Sequence, residues 1–427
     1  LIGGAGAHSL RRMKILFTFE NPLPSTEADA EVFVTTARYL AGLTSGTWLH
    51  LPMREVADEA ACQKLAGMPA VRARAPIGPA VLRHFICGLT MPFRKEFRQA
   101  DLVYTRNLWM AWTSLKFGQR VVFDHYRPWP DQIPPLQRWL HRLFCHRRLL
   151  VNICHSDYTR GKYLNIGVPA DKLVCVHNGY EPRRLEEQLS ADAAKRKLGL
   201  DPGRKTIVYT GRVNHKKGLD LVIQAARKLP EVRFLLVGSY GEGPIEALAK
   251  GMANVTIVPF QPAEKLSDYI FAADLLLIPP SWAPLAKYGS TVLPLKLFFY
   301  LAAGRPILAG QTPDVMEVLR HGDNAILCKP DDVAALVEGI RTVFGDDALA
   351  ARIAAKAQED SRELTWSARV RKIHDLIASR LTSATTESGV WSPVQAKTWR
   401  EQSRRWFVHL VHERSFILPP AGLAPPK

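Results

Sequence analysis

Twice along this chain, short apolar runs alternate with longer amphipathic stretches, and that alternation constrains the fold more than any other feature. Residues 15–19, 102–104, 121–123, 149–154 and 174–177 read as strands, separated by helical patterns such as 30–43 and 135–148. Strands that alternate with helices argue for a parallel sheet covered by helices. A polar, charged stretch over 181–205, containing Asp201-Pro202-Gly203, reads as a connection. A second series of runs follows it at 207–209, 234–238, 255–258, 275–278, 307–309 and 325–328. A chain of 427 residues exceeds what one ordinary core fills, and 47% hydrophobic residues are ample for two. The expected class is α/β: two Rossmann-like domains in series, facing each other across a cleft. The expected boundaries are 13–185 for the N-terminal domain and 205–365 for the C-terminal domain, then a helix over 366–381 and a basic tail over 382–427.

Charge is unevenly placed. The net charge is +17, with 23 Lys and Arg against 14 Asp and Glu in residues 13–185, but 22 against 19 in residues 205–382. An anionic partner is therefore expected at the N-terminal half and the ends, unless the basic residues only solubilise the surface. Arg83, His84, Arg94, Lys95 and Arg98 interleave with Phe85, Ile86, Phe93 and Phe97, and residues 138–148 form a second basic segment with Trp139, Leu143 and Phe144. Basic residues mixed with aromatics suit an anionic membrane surface. No recognised nucleic-acid motif accompanies them, so no nucleic acid is expected. In the tail, Trp399, Trp406, Phe407, Leu410 and Val411 follow a helical stripe, which suits a membrane-surface helix, a helix packed on the body, or a poorly ordered extension.

Six cysteines stand without metal-ligand or disulfide spacing, so neither a zinc site nor a disulfide framework is expected and a reducing cytosol fits best. No apolar run approaches the length of a membrane span, and Leu1 to Arg12 lack the order of a signal peptide. Met13 reads as the natural start.

The chemistry concentrates in two motifs. Gly211-Arg212-Val213-Asn214-His215-Lys216-Lys217-Gly218 follows an apolar run and precedes a helical pattern. Its glycines sit where a strand turns into a helix, and Arg212 and Lys217 can converge there on an anion. Downstream, Gly289-Ser290-Thr291-Val292-Leu293 precedes Pro294, a residue favoured in the first helical turn, so free backbone N–H groups are available to a diphosphate. Lys296, Phe299 and Tyr300 lie in the helix that follows.

The spacing G-R-x4-K-G and the later P-x-K-L-F-x-Y-x-A-A-G-x-P resemble the nucleotide-sugar half of family 4 glycosyltransferases, which are retaining enzymes of the GT-B type. The resemblance covers about residues 13–380 and implies a hexose moved from a nucleoside diphosphate sugar to a glycan or lipid-linked acceptor, in polysaccharide or glycolipid synthesis. It implies that Arg212 and Lys217 stabilise the leaving diphosphate, with Gly211, Ser290, Thr291, Val292, Leu293 and Lys296 around the donor and Phe260 beside the base. The chain has no D-x-D pair, so no metal or other cofactor is expected, in agreement with that fold. The helix from Trp366 matches the one that returns to the first domain in the family. The implied location is cytoplasmic, peripheral to the inner face of the membrane.

His125, ending the run Val121-Val122-Phe123-Asp124-His125, matches the family's strand-end histidine. It is expected either to orient a hydroxyl or shuttle a proton, or to serve as a structural strand-end residue. One departure is sharp: the family pairs two acidic residues eight apart, and here those positions are Thr291 and Phe299. The alternative expectation is therefore a non-catalytic GT-B subunit that binds a nucleotide or glycan. The first strand-to-helix loop, Glu20 to Ser25, lacks the glycine pair of many relatives, so acceptor residues do not carry over.

Overall fold

The computed structural model describes residues 13–20, 23, 28–51, 59–73, 78–241, 243–287 and 293–387. The expected donor residues Ser290, Thr291 and Val292 and the Trp399 stripe of the tail lie outside these. The chain divides into two compact units: residues 1–155, 159–176 and 370–427 form one, and residues 156–158 and 177–369 the other.

The first unit holds seven strands, β1 (Lys14–Thr18), β2 (Gly46–Leu51), β3 (Ala70–Arg72), β4 (Leu102–Thr105), β5 (Val121–His125), β6 (Leu149–Cys154) and β7 (Leu173–Cys175), in the order β3-β2-β1-β4-β5-β6-β7. The second holds β8 (Thr206–Thr210), β9 (Arg233–Ser239), β10 (Val255–Pro259), β11 (Leu275–Leu277), β12 (Ile307–Gly310) and β13 (Ile326–Cys328), in the order β10-β9-β8-β11-β12-β13. The strand pairings are parallel throughout, and each sheet reverses order beside its first strand, the switch point at which Rossmann-type sheets bind ligands. Helices cover both faces, so strands such as β5, β6 and β8 are buried at every residue.

Three sequence expectations are revised. β2 and β3 have no counterpart among the expected strands: Gly46-Thr47-Trp48-Leu49-His50-Leu51 mixes polar and apolar residues, and β3 is three half-buried residues at the sheet edge. The stretch 181–205 is not a free connection. It carries the helix Ala191–Lys197, and Leu185 and Ala194 pack into the second core, because Lys195 is drawn in by Asp274 at 2.6 Å. The boundary accordingly falls at Val176, before the 185 expected. The apolar members of the two basic segments turn inward only in part: Phe97, Leu143 and Phe144 are buried, Phe85, Phe93 and Trp139 are half-buried, and Arg94 donates to the Arg72 carbonyl.

The helix Trp366–Glu387 places Val370, Ile373 and Ile377 in the core of the first unit with Phe17, Phe33 and Tyr104. All six cysteines are free.

Two core histidines make the fold acid-sensitive. His50 in β2 and His125 in β5 are buried, and desolvation depresses both to about 3. The unfolded chain binds those protons near pH 6.5 and the folded chain does not, so stability is full above about 6.5 and falls as pH drops towards 3. Urea midpoints should decline from pH 7 to pH 5, each such histidine contributing up to about 1.4 kcal/mol per pH unit; a flat profile would contradict their burial as neutral rings.

Candidate active site

The backbone builds the site in the second unit before any side chain enters. The loops after β8 and β9 are joined by Gly211 N–H to the Val237 carbonyl at 2.9 Å and Val213 N–H to the Gly238 carbonyl at 3.1 Å. This approach requires glycine: Gly238 has φ +120° and a Cβ there would lie 2.4 Å from the Gly211 carbonyl oxygen. Gly218 (φ +70°) then ends the turn His215–Lys217, which Asn214 caps by accepting from Lys216 N–H, and opens the helix Leu219–Lys228.

Strand β8 is fixed at its carboxyl end by two buried phenols. Tyr209 Oη donates to the Arg212 carbonyl at 3.0 Å, and Tyr300 Oη accepts from Thr210 N–H at 2.7 Å. Desolvation raises both phenols well above their ordinary range, so they remain neutral donors and acceptors. Tyr300 comes from the helix Leu295–Ala302, whose N-cap is Pro294, and this helix carries Lys296 to the same place.

The cations gather on this scaffold. Lys296 Nζ lies 3.5 Å from the centre of the Tyr209 ring and within reach of Gly211, where an added Cβ would approach it to 2.9 Å. The residue as a whole is half-exposed, but burial of its ammonium end, and next the charge of Lys217, push that group well below the usual lysine range. The Arg212 guanidinium lies 5.1 Å from the Tyr240 ring centre. Tyr240 in turn sits 5.2 Å from Phe260, and these rings are 59% and 47% exposed. Sequence reasoning gave Phe260 a place here but missed Tyr240, whose signal was an aromatic residue in a glycine-rich loop after β9. Leu293 is buried at the start of the last segment.

Phe299 faces elsewhere in the same unit. Its ring packs edge-on against Tyr180 at 6.1 Å and under the Arg184 guanidinium at 5.5 Å. No carboxylate stands at this position.

The structure places His125, expected either to act on a hydroxyl or proton or to be structural, inside the first unit's core. β5 alternates, so Val121, Phe123 and His125 share one face and Asp124 the other. His125 has no exposed surface, bonds through Nε2 to Asn152 Oδ1 at 2.9 Å, and lies among Phe123, Phe144 and Tyr163. The polar group at this strand end is instead Asp124, which accepts from Arg106 at 2.8 Å and 3.0 Å and pairs with His155.

Two Rossmann-like sheets, one followed by a glycine-built loop that carries cations, define an α/β protein of the two-domain type. Comparison with known proteins narrows this. The model for "Glycosyltransferase Family 4" matches residues 36–184 and that for "Glycosyl transferases group 1" matches residues 190–360. The chain belongs to the family 4, group 1, glycosyltransferases and has the GT-B fold. Among curated relatives, it is 30% identical over 192 residues to the putative colanic acid biosynthesis glycosyl transferase WcaI of Escherichia coli K12, covering 42% of this chain and 46% of that one. It is 28% identical over 204 residues to the amylovoran biosynthesis glycosyltransferase AmsK of Erwinia amylovora, covering 46% and 47%. The chain thus spans about half the length of the curated relatives it matches. Among solved structures, Anabaena HepE, in complex with UDP and glucose, superposes with a TM-score of 0.67 over 87% of this chain and 100% of that one, at 19% identity.

Because the Gly211–Gly238 approach has no room for a side chain, Gly238→Ala should cost more than about 1 kcal/mol in folding and displace the Arg212 loop. Urea denaturation and UDP titration of that variant check it; unchanged stability and affinity would show that the approach is dispensable.

Proposed function

We propose that this chain transfers a hexose from a nucleoside diphosphate sugar to a glycan or lipid-linked acceptor, with retained anomeric configuration and without a metal ion. The observation that carries this reading is the convergence of Arg212, Lys217 and Lys296 on the Gly211 loop in a chain of this family. Lengthening the glycosidic bond leaves a diphosphate whose growing charge must be stabilised. Arg212 forks onto its oxygens, Lys217 supplies a point charge, and the exposed Tyr240 and Phe260 rings offer a face to the base. Cations carried on one loop suit a diphosphate brought in as such, and metal independence is part of the proposal. The departing diphosphate would accept the acceptor's proton on the same face of the sugar.

Among the described residues no helix is long and apolar enough to cross a membrane. Placement on the cytoplasmic face of an anionic membrane is part of the proposal and is supported by the basic excess of residues 13–185.

The second reading is a nucleotide- or glycan-binding subunit without turnover. Its support is Phe299, whose ring against Tyr180 and Arg184 leaves no carboxylate there for the ribose hydroxyls. A charge-assisted carboxylate–diol contact is worth about 1.5–3 kcal/mol, so its absence weakens donor binding by ten- to a hundredfold unless another group replaces it.

Incubation with UDP-, GDP- and ADP-sugars and a lipid-linked glycan extract separates the readings. Acceptor-dependent nucleotide release, lost in the Arg212→Ala/Lys217→Ala variant, is the expected result. Binding without release from any donor would establish the subunit reading. Lys296 adds a sharper expectation. Its ammonium is depressed in the empty site and a diphosphate would restore it, so UDP binding should take up a proton at pH values between the depressed and ordinary lysine ranges. Calorimetry in buffers of different ionisation enthalpy would measure this, and Lys296→Met should abolish the uptake and weaken binding at least tenfold; equal uptake in both proteins would place the proton elsewhere.

A further inference from the structure

The first unit contains a cavity of about 550 Å³ at the carboxyl ends of β1, β4 and β5, a size that accommodates a small ligand. Its walls include Trp109, Trp129 and Trp139, all half-buried, so each indole keeps uncovered surface. Trp109 and Trp139 lie 5.7 Å apart with their planes inclined at 49°. Two of its lining side chains each hold a buried polar atom without a hydrogen-bond partner among the described residues: Glu20 Oε2 and His84 Nε2. At the rim, Val81 and Leu136 are 62% and 48% exposed.

The hydrogen-bond network fixes what these atoms offer. Asn107 Oδ1 accepts from Trp109 N–H and Met110 N–H, so its Nδ2 is the group that meets His84 Nδ1 at 3.2 Å. An amide nitrogen only donates, so Nδ1 accepts and the neutral ring carries its proton on Nε2. Burial, then Arg83, lowers His84 to about 4, which keeps the ring in that neutral form. Burial raises the Glu20 carboxyl, against the pull of Arg106. The residues of the lining thus hold one N–H donor and one carboxyl oxygen that are buried and have no partner within the described protein.

A hydroxyl-bearing ligand uses both. Glu20 and Asp29 oppose a phosphate, and Arg106 and Arg127 oppose an ammonium, so a neutral polyol fits this lining better than either ion. The C–H faces of a sugar ring suit the indole faces, and an exposed aliphatic rim is a surface that an apolar chain would cover. We propose that this cavity binds an amphiphilic glycoside, its sugar hydroxyls on Glu20 and His84, its ring against the tryptophans and its apolar aglycone across Val81 and Leu136. Resting on the transferase reading, this assigns the acceptor to the lipid-linked class.

The test uses the full chain and n-octyl β-D-glucopyranoside below its micelle concentration, with methyl β-D-glucopyranoside and 1-octanol as its two halves, read by tryptophan fluorescence and calorimetry. Octyl glucoside should bind at least tenfold more tightly than either half. Glu20→Leu should weaken it at least tenfold while leaving 1-octanol unchanged, and Trp129→Ala should weaken both glucosides and stands in if the first variant does not fold. No binding, or octyl glucoside binding no tighter than 1-octanol, or no tighter than the methyl glycoside, would overturn the proposal. Titration of the same protein with UDP, GDP and ADP reports on the second unit alone. Glycoside binding without binding of any of these nucleotides would leave the cavity assignment standing and sink the transferase reading; nucleotide binding without glycoside binding would do the reverse.

Discussion

A parallel strand buried on both faces can place polar chemistry only at its ends, and both sheets here obey that constraint. Along β5, β6 and β8 every residue is buried, so a side chain that must meet a ligand has to come from the last residue or from the loop beyond it. The polar groups inside the body turn to partners within the protein where they can. His125 is bonded to Asn152, and Asn152 in turn donates to the Phe144 and Lys172 carbonyls, although His125 Nδ1 and His50 Nε2 have no partner among the described residues. Near the strand ends lie further unusual groups: the depressed Lys296 ammonium in one unit, and the Glu20 and His84 atoms without a partner in the other.

Much of this was legible in the sequence because its cause is local. The order of strands and helices follows from runs of apolar residues, and all six strands of the second unit announce themselves that way. Gly211 to Gly218 was readable as a strand-to-helix turn because glycine spacing is a consequence of backbone geometry. What the sequence hid depends on partners far away. β2 is a strand because β1 and β3 pair with it, not because Gly46-Thr47-Trp48 has strong strand character. The 181–205 stretch looked like a connection because its charges are many, yet Lys195 is held inside by Asp274, seventy-nine positions along the chain. His125 shows the limit most clearly. A strand-end position was correctly read, but the face it points to is set by register with β6, and the sequence alone does not distinguish a ring turned to a ligand from one turned into Phe144 and Tyr163.

The cation cluster has its own energetic logic. Burying the Lys296 ammonium, and next holding it near Lys217, is unfavourable for its charge, and the Tyr209 ring supplies only a partial remedy through its π face. The fold tolerates this because Tyr300, Thr210 and the Gly211–Gly238 backbone contacts fix the surrounding loop independently of the lysine. A site prepared in this way favours an anion twice over, by direct attraction and by relieving the strain of the protonated form. Phe299 does not interfere with that logic, since it packs with Tyr180 and Arg184 rather than with the lysines. Under the proposed reading, what its aromatic ring removes is a contact to sugar hydroxyls, not one to phosphate.

The two sheets share a strand order yet end in opposite electrostatics, which bears on why one chain carries both. At the second sheet's edge the loop gathers Arg212, Lys217 and the depressed Lys296 ammonium. At the first, Arg106 is already committed to Asp124 and to the Asp29 carbonyl, and His155 to Asp124, so its strongest charges are spent inside the protein. A buried pair of that kind adds little to stability, and its removal on one side leaves an uncompensated charge. Its effect on the site is to oppose the field that Arg106 projects into the cavity, where Tyr126 covers the guanidinium at 4.9 Å from the ring centre and Glu20 still feels the charge. With that field reduced, hydroxyl-matching groups and indole faces become the distinguishing features of the first edge. The basic excess of the first half, read from sequence as a surface for anions, thus coexists with an interior lining whose charges are balanced.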